Sequence, residues 1–199
     1  MSNKIIFITG GSASGKSTLS KQITDHFKTD AVLISQDSFY KTTTNDNFNY
    51  DIPDSMDFEK MIAVINKLKN DKSAKVPVYD FVKSKVVGQK LTKPKPIIIF
   101  EGLFTLHNYE LAHLADFKIF VDTPADTRLA RRIIRDVKQR GRTLDSVIKR
   151  WIDDVQPSYE KYIKPTKKFV DVVVPWHKIK SRTIEALLIT ITHIGKTIN

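Results

Sequence analysis

Five short apolar runs alternate with helical periods along the chain. That order predicts an α/β protein: a central five-stranded, mainly parallel sheet flanked by helices. Three observations carry the prediction. The runs, at residues 5–9, 31–35, 97–100, 117–121 and 170–174, are continuous rather than alternating, as expected of strands covered on both faces. The segments between them place apolar residues at helical spacing. One stretch, residues 75–92 (KVPVYDFVKSKVVGQKLT), has β-type residues and no helical period, so it reads as a β-hairpin inserted between the second and third strands.

The run at 5–9 stops at Thr9-Gly10-Gly11, too short for a signal peptide. Residues 17–27 follow as a helix with Leu19, Ile23 and Phe27 on one face. After the second strand, residues 56–68 carry Met61, Ile62, Ile65 and Leu68 at helical spacing. Beyond the fourth strand, Thr123 with Asp126 three residues on reads as a helix cap, and Pro124 suits the first helical position. Leu129, Ile133 and Val137 then form an apolar stripe. Ile184, Leu187, Leu188, Ile191 and Ile194 give a final amphipathic helix.

At 199 residues, with no linker and no internal repeat, residues 1–199 read as a single domain. The absence of cysteine excludes a disulfide scaffold, a thiolate metal site and cysteine-based catalysis. No apolar run approaches the ~20 residues needed to span a bilayer, so the expectation is a cytoplasmic protein with no membrane partner. The net charge of +11, from 33 basic and 22 acidic residues, would by itself suggest a nucleic-acid partner. The distribution argues against one. Lysines are scattered as on a solvated surface, whereas seven of the eight arginines fall between Arg128 and Arg150. Arginine is the planar, bidentate phosphate binder, and its concentration in one segment points to a local phosphate task.

The phosphate itself is located by Gly10-Gly11-Ser12-Ala13-Ser14-Gly15-Lys16-Ser17, followed by Thr18, which matches G-x-x-x-x-G-K-[ST]. Glycines let backbone N–H groups turn inward around phosphate oxygens, and the following helix adds its free N–H groups and positive end. Lys16 can reach the outer phosphates, and the Ser17 hydroxyl can ligate Mg²⁺. The string follows an apolar strand and opens an amphipathic helix, the context the chemistry requires. No N/T-K-x-D guanine-reading string is present, and the chain is short for a helicase or transporter ATPase. A small kinase acting on a small molecule remains.

Asp37 follows the second strand, at the edge where ligands bind in parallel sheets. A carboxylate there can accept the proton of a hydroxyl attacking the γ-phosphate; the lesser alternative is a cap for the next segment. Glu101 ends the third strand at the same edge, where an acid can hold Mg²⁺ or its water. Arg128, Arg131, Arg132 and Arg135 recur at helical spacing, and Arg140-Gly141-Arg142 follows at a turn. Residues 128–150 thus read as an Arg-rich lid that stabilises transferring charge and excludes water.

The ordered strings GGSASGKST, SQDSFY, NYDIPDSMDF, PVYDF, IIIFEGL, FVDTPADTRLARRIIRDVKQRGR and VQPSYEKYIKPTKKFVDVVVP resemble the uridine kinase (uridine–cytidine kinase) family over about residues 3–175. The resemblance implies a P-loop kinase fold and transfer of the ATP or GTP γ-phosphate to the 5′-hydroxyl of uridine or cytidine, with Mg²⁺. It implies that Asp37 is the catalytic base and Tyr40 its neighbour in the nucleoside pocket. Asp51 and Arg132 resemble the pair gripping the ribose hydroxyls, and Tyr79 and Phe81 resemble base-pocket aromatics on the hairpin. Arg135 and Arg140 resemble lid arginines facing the phosphates, Arg142 one facing the base, and Glu101 the acid near Mg²⁺. The family also suggests a homo-oligomer, dimer or tetramer. The chain departs from the family pattern at Ser84, where a base-reading His is common, at Val86, where an Arg is common, and at Arg150, where a base-reading Gln is common. These changes leave open a related P-loop kinase for another hydroxyl substrate, such as a different nucleoside, nicotinamide riboside, pantothenate or a sugar phosphate.

Overall fold

The structure is a computed structural model that describes residues 3–44, 48–81, 83–178 and 181–196. The five expected strands form one sheet: β1 (Lys4–Gly10), β2 (Ala31–Ser35), β5 (Ile97–Gly102), β6 (Phe117–Asp122) and β7 (Val172–Pro175). Their order is β2-β5-β1-β6-β7, and every neighbouring pair runs parallel. The two-residue period of a strand divides the apolar runs between two faces. Ile5, Phe7, Ile98, Phe100 and Phe120 face one layer, and Ile6, Ile8, Ile97, Ile99, Ile119 and Val121 face the other.

On the first face lies α2 (Phe58–Lys69), which buries Met61, Val64, Ile65 and Leu68. It starts two residues later than the apolar pattern suggests, because the Asp57 carboxylate accepts from the Lys60 N–H at 3.0 Å and so caps it. The second face is covered by α1 (Lys16–Phe27) through Leu19 and Ile23, and by α7 (Ser181–Lys196) through Leu187 and Ile191. The expected hairpin is β3 (Ala74–Asp80) paired antiparallel with β4 (Lys85–Thr92), with its register broken between Val78 and Tyr79. A short α3 (Tyr109–His113) leads into β6.

The segment after β6 differs from the sequence reading in its cap. Helix α4 (Ala125–Arg140) has no side-chain cap, and Pro124 occupies the capping position rather than the first helical one. The Thr123 hydroxyl instead donates to the Ser14 carbonyl at 2.8 Å, and the Asp126 carboxylate accepts from the Thr127 N–H at 2.6 Å. Thr123 ties the end of β6 to the phosphate loop. Along the helix, the buried residues are Arg128, Arg132 and Asp136. The apolar stripe lies to the side: Leu129 and Ile133 are half-buried and Val137 is exposed. The helix packs its charged face inward because that face meets the polar sheet edge.

From α4 the chain passes through α5 (Leu144–Arg150), whose Thr143 cap accepts from the Ser146 N–H. It continues through two π-helical turns, Trp151–Val155 and Tyr159–Ile163, on either side of α6 (Gln156–Ser158). Pro157 lies between them. Proline lacks the N–H for an i→i−4 bond and crowds the preceding turn, which the wider π turns relieve.

Candidate active site

The site gathers at the carboxyl edge of the sheet, where β1, β2, β5, β6 and β7 all end. The β1–α1 loop there is tightly specified. Gly15 has φ +106°, a conformation open to glycine, and it serves as N-cap of α1 without a side-chain cap. The first turn of α1 carries no acidic residue, so its N–H groups are left for an anion. Within the loop the Ser14 N–H donates to the Gly11 carbonyl at 3.1 Å. The Ser14 carbonyl also accepts from Arg131 Nη1 at 3.4 Å, and the Ser12 hydroxyl from Arg132 Nη1 at 2.8 Å.

Arg128, grouped with the lid arginines by its spacing, lies beneath this loop. It is 1% exposed. Its Nε donates to the Thr123 carbonyl at 3.1 Å and its Nη2 to Gln156 Oε1 at 3.1 Å, and its guanidinium lies 4.0 Å from the Tyr159 ring centroid. A Cβ on Gly11 would meet Arg128 Nη1 at 2.7 Å, so the glycine is needed for this close approach.

A cleft next to the loop brings together Ser12, Lys16, Asp37, Tyr40, Asp51, Phe81, Arg132, Arg135, Arg140, Arg142 and Arg150 from the sequence-derived set, joined by Tyr50, Leu103 and Asp136. Asp37 sits in the 3₁₀ turn Gln36–Phe39, and the cap of that turn is the Ser35 hydroxyl, which accepts from the Asp37 N–H at 3.3 Å. The Asp37 carboxylate itself lines the cleft. Tyr40 packs edge-on against Tyr50 and Phe81 and at a tilt against Tyr79, with centroids 5.4–5.9 Å apart. Tyr79 lies behind this group rather than on the cleft wall. Ser84 occupies the hairpin turn with φ +50°, also off the wall, and its carbonyl accepts from the Thr43 N–H at 3.3 Å.

Arg132 Nη2 lies 3.7 Å from Asp51 Oδ2, which joins α4 to the segment after β2. Burial pushes the Asp51 carboxyl up, against the charge of Arg132; nearby Asp154 and Asp37 add to the rise. Asp136 is the hub of the arginines. Its carboxylate is 3.4 Å from Arg132 Nε, 2.7 Å from Arg135 Nε and 3.4 Å from Arg140 Nη1. Burial raises its pKa, but the Arg135 hydrogen bond and the charges of Arg135, Arg132 and Arg140 outweigh this and hold it below the ordinary value. The Arg140 guanidinium also lies 5.2 Å from the Phe81 ring centroid, so the lid touches the hairpin.

Glu101 is 5% exposed. It accepts from the Ser35 hydroxyl at 2.8 Å and the Ser17 hydroxyl at 3.2 Å. Burial pushes its carboxyl up, Lys16 pulls it down, and the neighbouring Asp37 raises it again. Among the described residues no group of three or more His, Cys, Asp or Glu is arranged to hold a metal ion. Ser17, Glu101 and the nearby Asp37 form an all-oxygen set, which suits a hard cation held partly by phosphates and water.

The model of the Phosphoribulokinase / Uridine kinase family matches residues 5–182. The chain belongs to this family. It is 41% identical over 181 residues to a uridine kinase of Clostridium novyi, covering 86% of each chain. It is 39% identical over 204 residues to a uridine kinase of Lactococcus lactis subsp. lactis, covering 98% of this chain and 97% of that one. Among solved structures, the fold is similar to a putative fructose transport system kinase from Silicibacter, with TM-score 0.74, 20% identity and coverage of 87% and 90%.

Asp136 and Tyr50 were not singled out from the sequence. Asp136 left a signal: it lies four residues from both Arg132 and Arg140, the helical spacing of an ion-pair ladder. Tyr50 adjoins Asp51, and tertiary contacts, among them the bridge between Tyr40 and Met56 and the Arg132–Asp51 pair, bring its segment to the cleft.

Proposed function

We propose that this chain is a nucleoside kinase that moves the γ-phosphate of ATP or GTP to the 5′-hydroxyl of uridine, cytidine or both. The observation that carries the reading is one cleft shared by Lys16 of the phosphate loop, the Asp37 carboxylate and the Arg132–Asp51 pair, with Tyr40, Tyr50 and Phe81 beside them. The aromatics offer faces to a planar base. Arg132 and Asp51 supply a donor and an acceptor for vicinal sugar hydroxyls. Asp37 is then available to take the hydroxyl proton as the new O–P bond forms and the bond to the leaving β-phosphate oxygen breaks. Lys16, Arg135 and Arg140 neutralise charge on the phosphoryl group during transfer. Ser17 and Glu101 would hold Mg²⁺, which neutralises phosphate charge when bound.

The chain is then a single kinase domain, with hairpin and lid as appendages of one site. A second acceptor class is kept by Arg150, which lines the cleft while Ser84 does not. Such a cation suits an acceptor richer in carbonyl or anionic groups than cytidine, such as a sugar phosphate. We also infer a homo-oligomer, dimer or tetramer. Ile134, Val137, Leu144, Ile148 and Ile152 are exposed along α4, α5 and the following turn, an apolar surface of the kind that marks contacts. No helix among the described residues is long and apolar enough to cross a membrane. The deciding experiment is ADP release measured across uridine, cytidine, purine nucleosides and the other hydroxyl acceptors. Turnover with a non-nucleoside alone would overturn the nucleoside assignment.

A further inference from the structure

The opening turn of α4 holds a cation that the reaction above leaves unused. Arg131 and Arg135 line a groove on the outer side of the phosphate loop, together with Trp176, and Arg132 lines the acceptor cleft. Arg128, one turn before Arg132, lines neither. It is buried beneath the loop, and its guanidinium lies 4.0 Å from the Tyr159 ring centroid and 5.1 Å from that of Trp151.

Burial lowers the Arg128 pKa, but a guanidinium stays protonated at neutral pH. A buried charge is costly unless an opposite charge faces it. Among the described residues none does. The carboxylates whose charge reaches Arg128 are Glu160 and Asp122. Each is already held by a lysine, Glu160 by Lys164 and Asp122 by Lys167, both at 2.6 Å. The groups that accept from Arg128 are neutral: the Thr123 carbonyl takes Nε, and the Gln156 carboxamide takes Nη2. Nη1 is buried with no hydrogen-bond partner. It is the atom that a Cβ on Gly11 would meet first, at 2.7 Å. The unpaired end of the cation therefore faces the floor of the phosphate loop.

We propose that the countercharge missing from Arg128 is the polyphosphate held on the other side of the loop, so that Arg128 is a positioning residue whose charge acts on the donor through the loop backbone. This rests on the phosphate loop holding the donor's phosphates in the reaction above. The surroundings of Arg128 suit the role. Aromatic faces and neutral acceptors hold a guanidinium in place without cancelling its charge. A carboxylate at the position of Gln156 would hold it as firmly and neutralise it. Cation and loop also share an anchor, because Thr123 accepts from Arg128 through its carbonyl and donates its hydroxyl to the Ser14 carbonyl at 2.8 Å.

The test separates the charge from the packing with three variants. Arg128→Gln removes the charge and keeps an amide donor. Arg128→Lys keeps the charge and loses the planar fork. Gln156→Glu leaves Arg128 in place and supplies the missing carboxylate. Opposite unit charges about 8–10 Å apart, at an effective dielectric constant of ~20, change an equilibrium constant by about tenfold or more. The Kd for inorganic tripolyphosphate, measured by calorimetry, should therefore rise by about tenfold or more in Arg128→Gln and in Gln156→Glu. It should stay within about threefold of wild type in Arg128→Lys. The KM for ATP should follow the same order, with the KM for uridine within about twofold throughout. Without ligand, Gln156→Glu should melt at or above the wild-type temperature, which a merely structural role for the contact would not produce. Wild-type tripolyphosphate affinity in folded Arg128→Gln or in Gln156→Glu would overturn the proposal, as would equal losses in Arg128→Gln and Arg128→Lys, or a wild type that binds no tripolyphosphate. Should Arg128→Gln fail to fold, Gln156→Glu decides alone. If tripolyphosphate binding shows this charge dependence although no nucleoside is phosphorylated, the acceptor assignment fails and the role of Arg128 stands. If uridine is phosphorylated with the same donor KM in wild type, Arg128→Gln and Gln156→Glu, the role of Arg128 fails and the kinase reading stands.

Discussion

Asp136→Asn isolates the charge that organises the lid. The side chain keeps its size and can still accept one neutral hydrogen bond from Arg135. What it loses is the negative charge shared by Arg132, Arg135 and Arg140 at 3.4, 2.7 and 3.4 Å. Removing one partner of a buried ion pair costs about 3–5 kcal/mol, because the remaining charge stays uncompensated. Arg132 is 11% exposed at its side chain, but Arg135 and Arg140 are 31% and 37% exposed, and water screens part of their share. The lower end, about 3 kcal/mol, is therefore expected. For a chain of this size that corresponds to about 6–12 °C in melting temperature. The pH dependence gives the sign. The folded pKa of Asp136 lies below its unfolded value, so its contribution is fully present above about pH 4 and is lost as pH falls through the folded pKa. The stability gap between wild type and Asp136→Asn, followed by thermal or urea denaturation, should be constant from pH 8 to 5 and narrow below about pH 4. The kcat should fall by about tenfold or more, since the arginines lose their shared anchor. A gap that keeps its size down to pH 3 would show that the carboxylate charge is not its source.

Three further outcomes follow from the site. Lys16→Ala should lose about 10²–10³ in rate with the fold intact by circular dichroism, and wild-type turnover in the folded variant would end the P-loop kinase reading. Asp37→Asn should lower kcat by about 10²-fold or more with little change in melting temperature; normal kcat with a lowered melting temperature would reduce Asp37 to a structural role. Uridine should be used as well as or better than cytidine, because Arg150 offers only donors to the cleft, and Ser84→His, whose longer side chain can extend from the hairpin turn past the short Ser84 hydroxyl toward the base, should sharpen the preference. The comparison is kcat/KM for both nucleosides on both proteins, and a wild type that strongly prefers cytidine would refute the assignment of Arg150.

The central strands were legible because they are buried on both faces, which turns Ile5–Ile8 and Ile97–Phe100 into unbroken apolar runs, and the edge strands β2 and β7 kept short apolar runs although they expose Leu33 and Val173. The phosphate loop was legible because its residue types are fixed by backbone geometry that glycine alone supplies cheaply. Helix α4 was half legible. Its existence and length followed from spacing, but its orientation did not. An apolar stripe does not say which face turns inward, because here the helix packs against the phosphate loop and the charged sheet edge. Ser84 is legible only in part, because its nearness to Tyr79 and Phe81 in sequence does not say which way a hairpin turn at φ +50° carries its side chain.

The arginines show why periodicity alone cannot assign the roles of a lid. Arg128, Arg132 and Asp136 are spaced four apart and share the buried face of α4, yet Arg128 meets the Tyr159 ring and the Thr123 carbonyl while Arg132 meets Ser12 and Asp51. Arg131 and Arg135, one position round, line the groove with Trp176. One helix thus props the phosphate loop from below, lines its outer groove and grips the acceptor cleft, and the divisions fall at single-residue steps. A one-residue slip in α4 would move Arg132 away from Asp51 and bring Arg131 or Ile133 in its place. The fixed points that prevent the slip are the Thr123 bond to Ser14 before the helix and the left-handed Gly141, φ +64°, after it. The lid's chemistry is therefore set by how the helix is anchored at its ends as much as by the arginines along it.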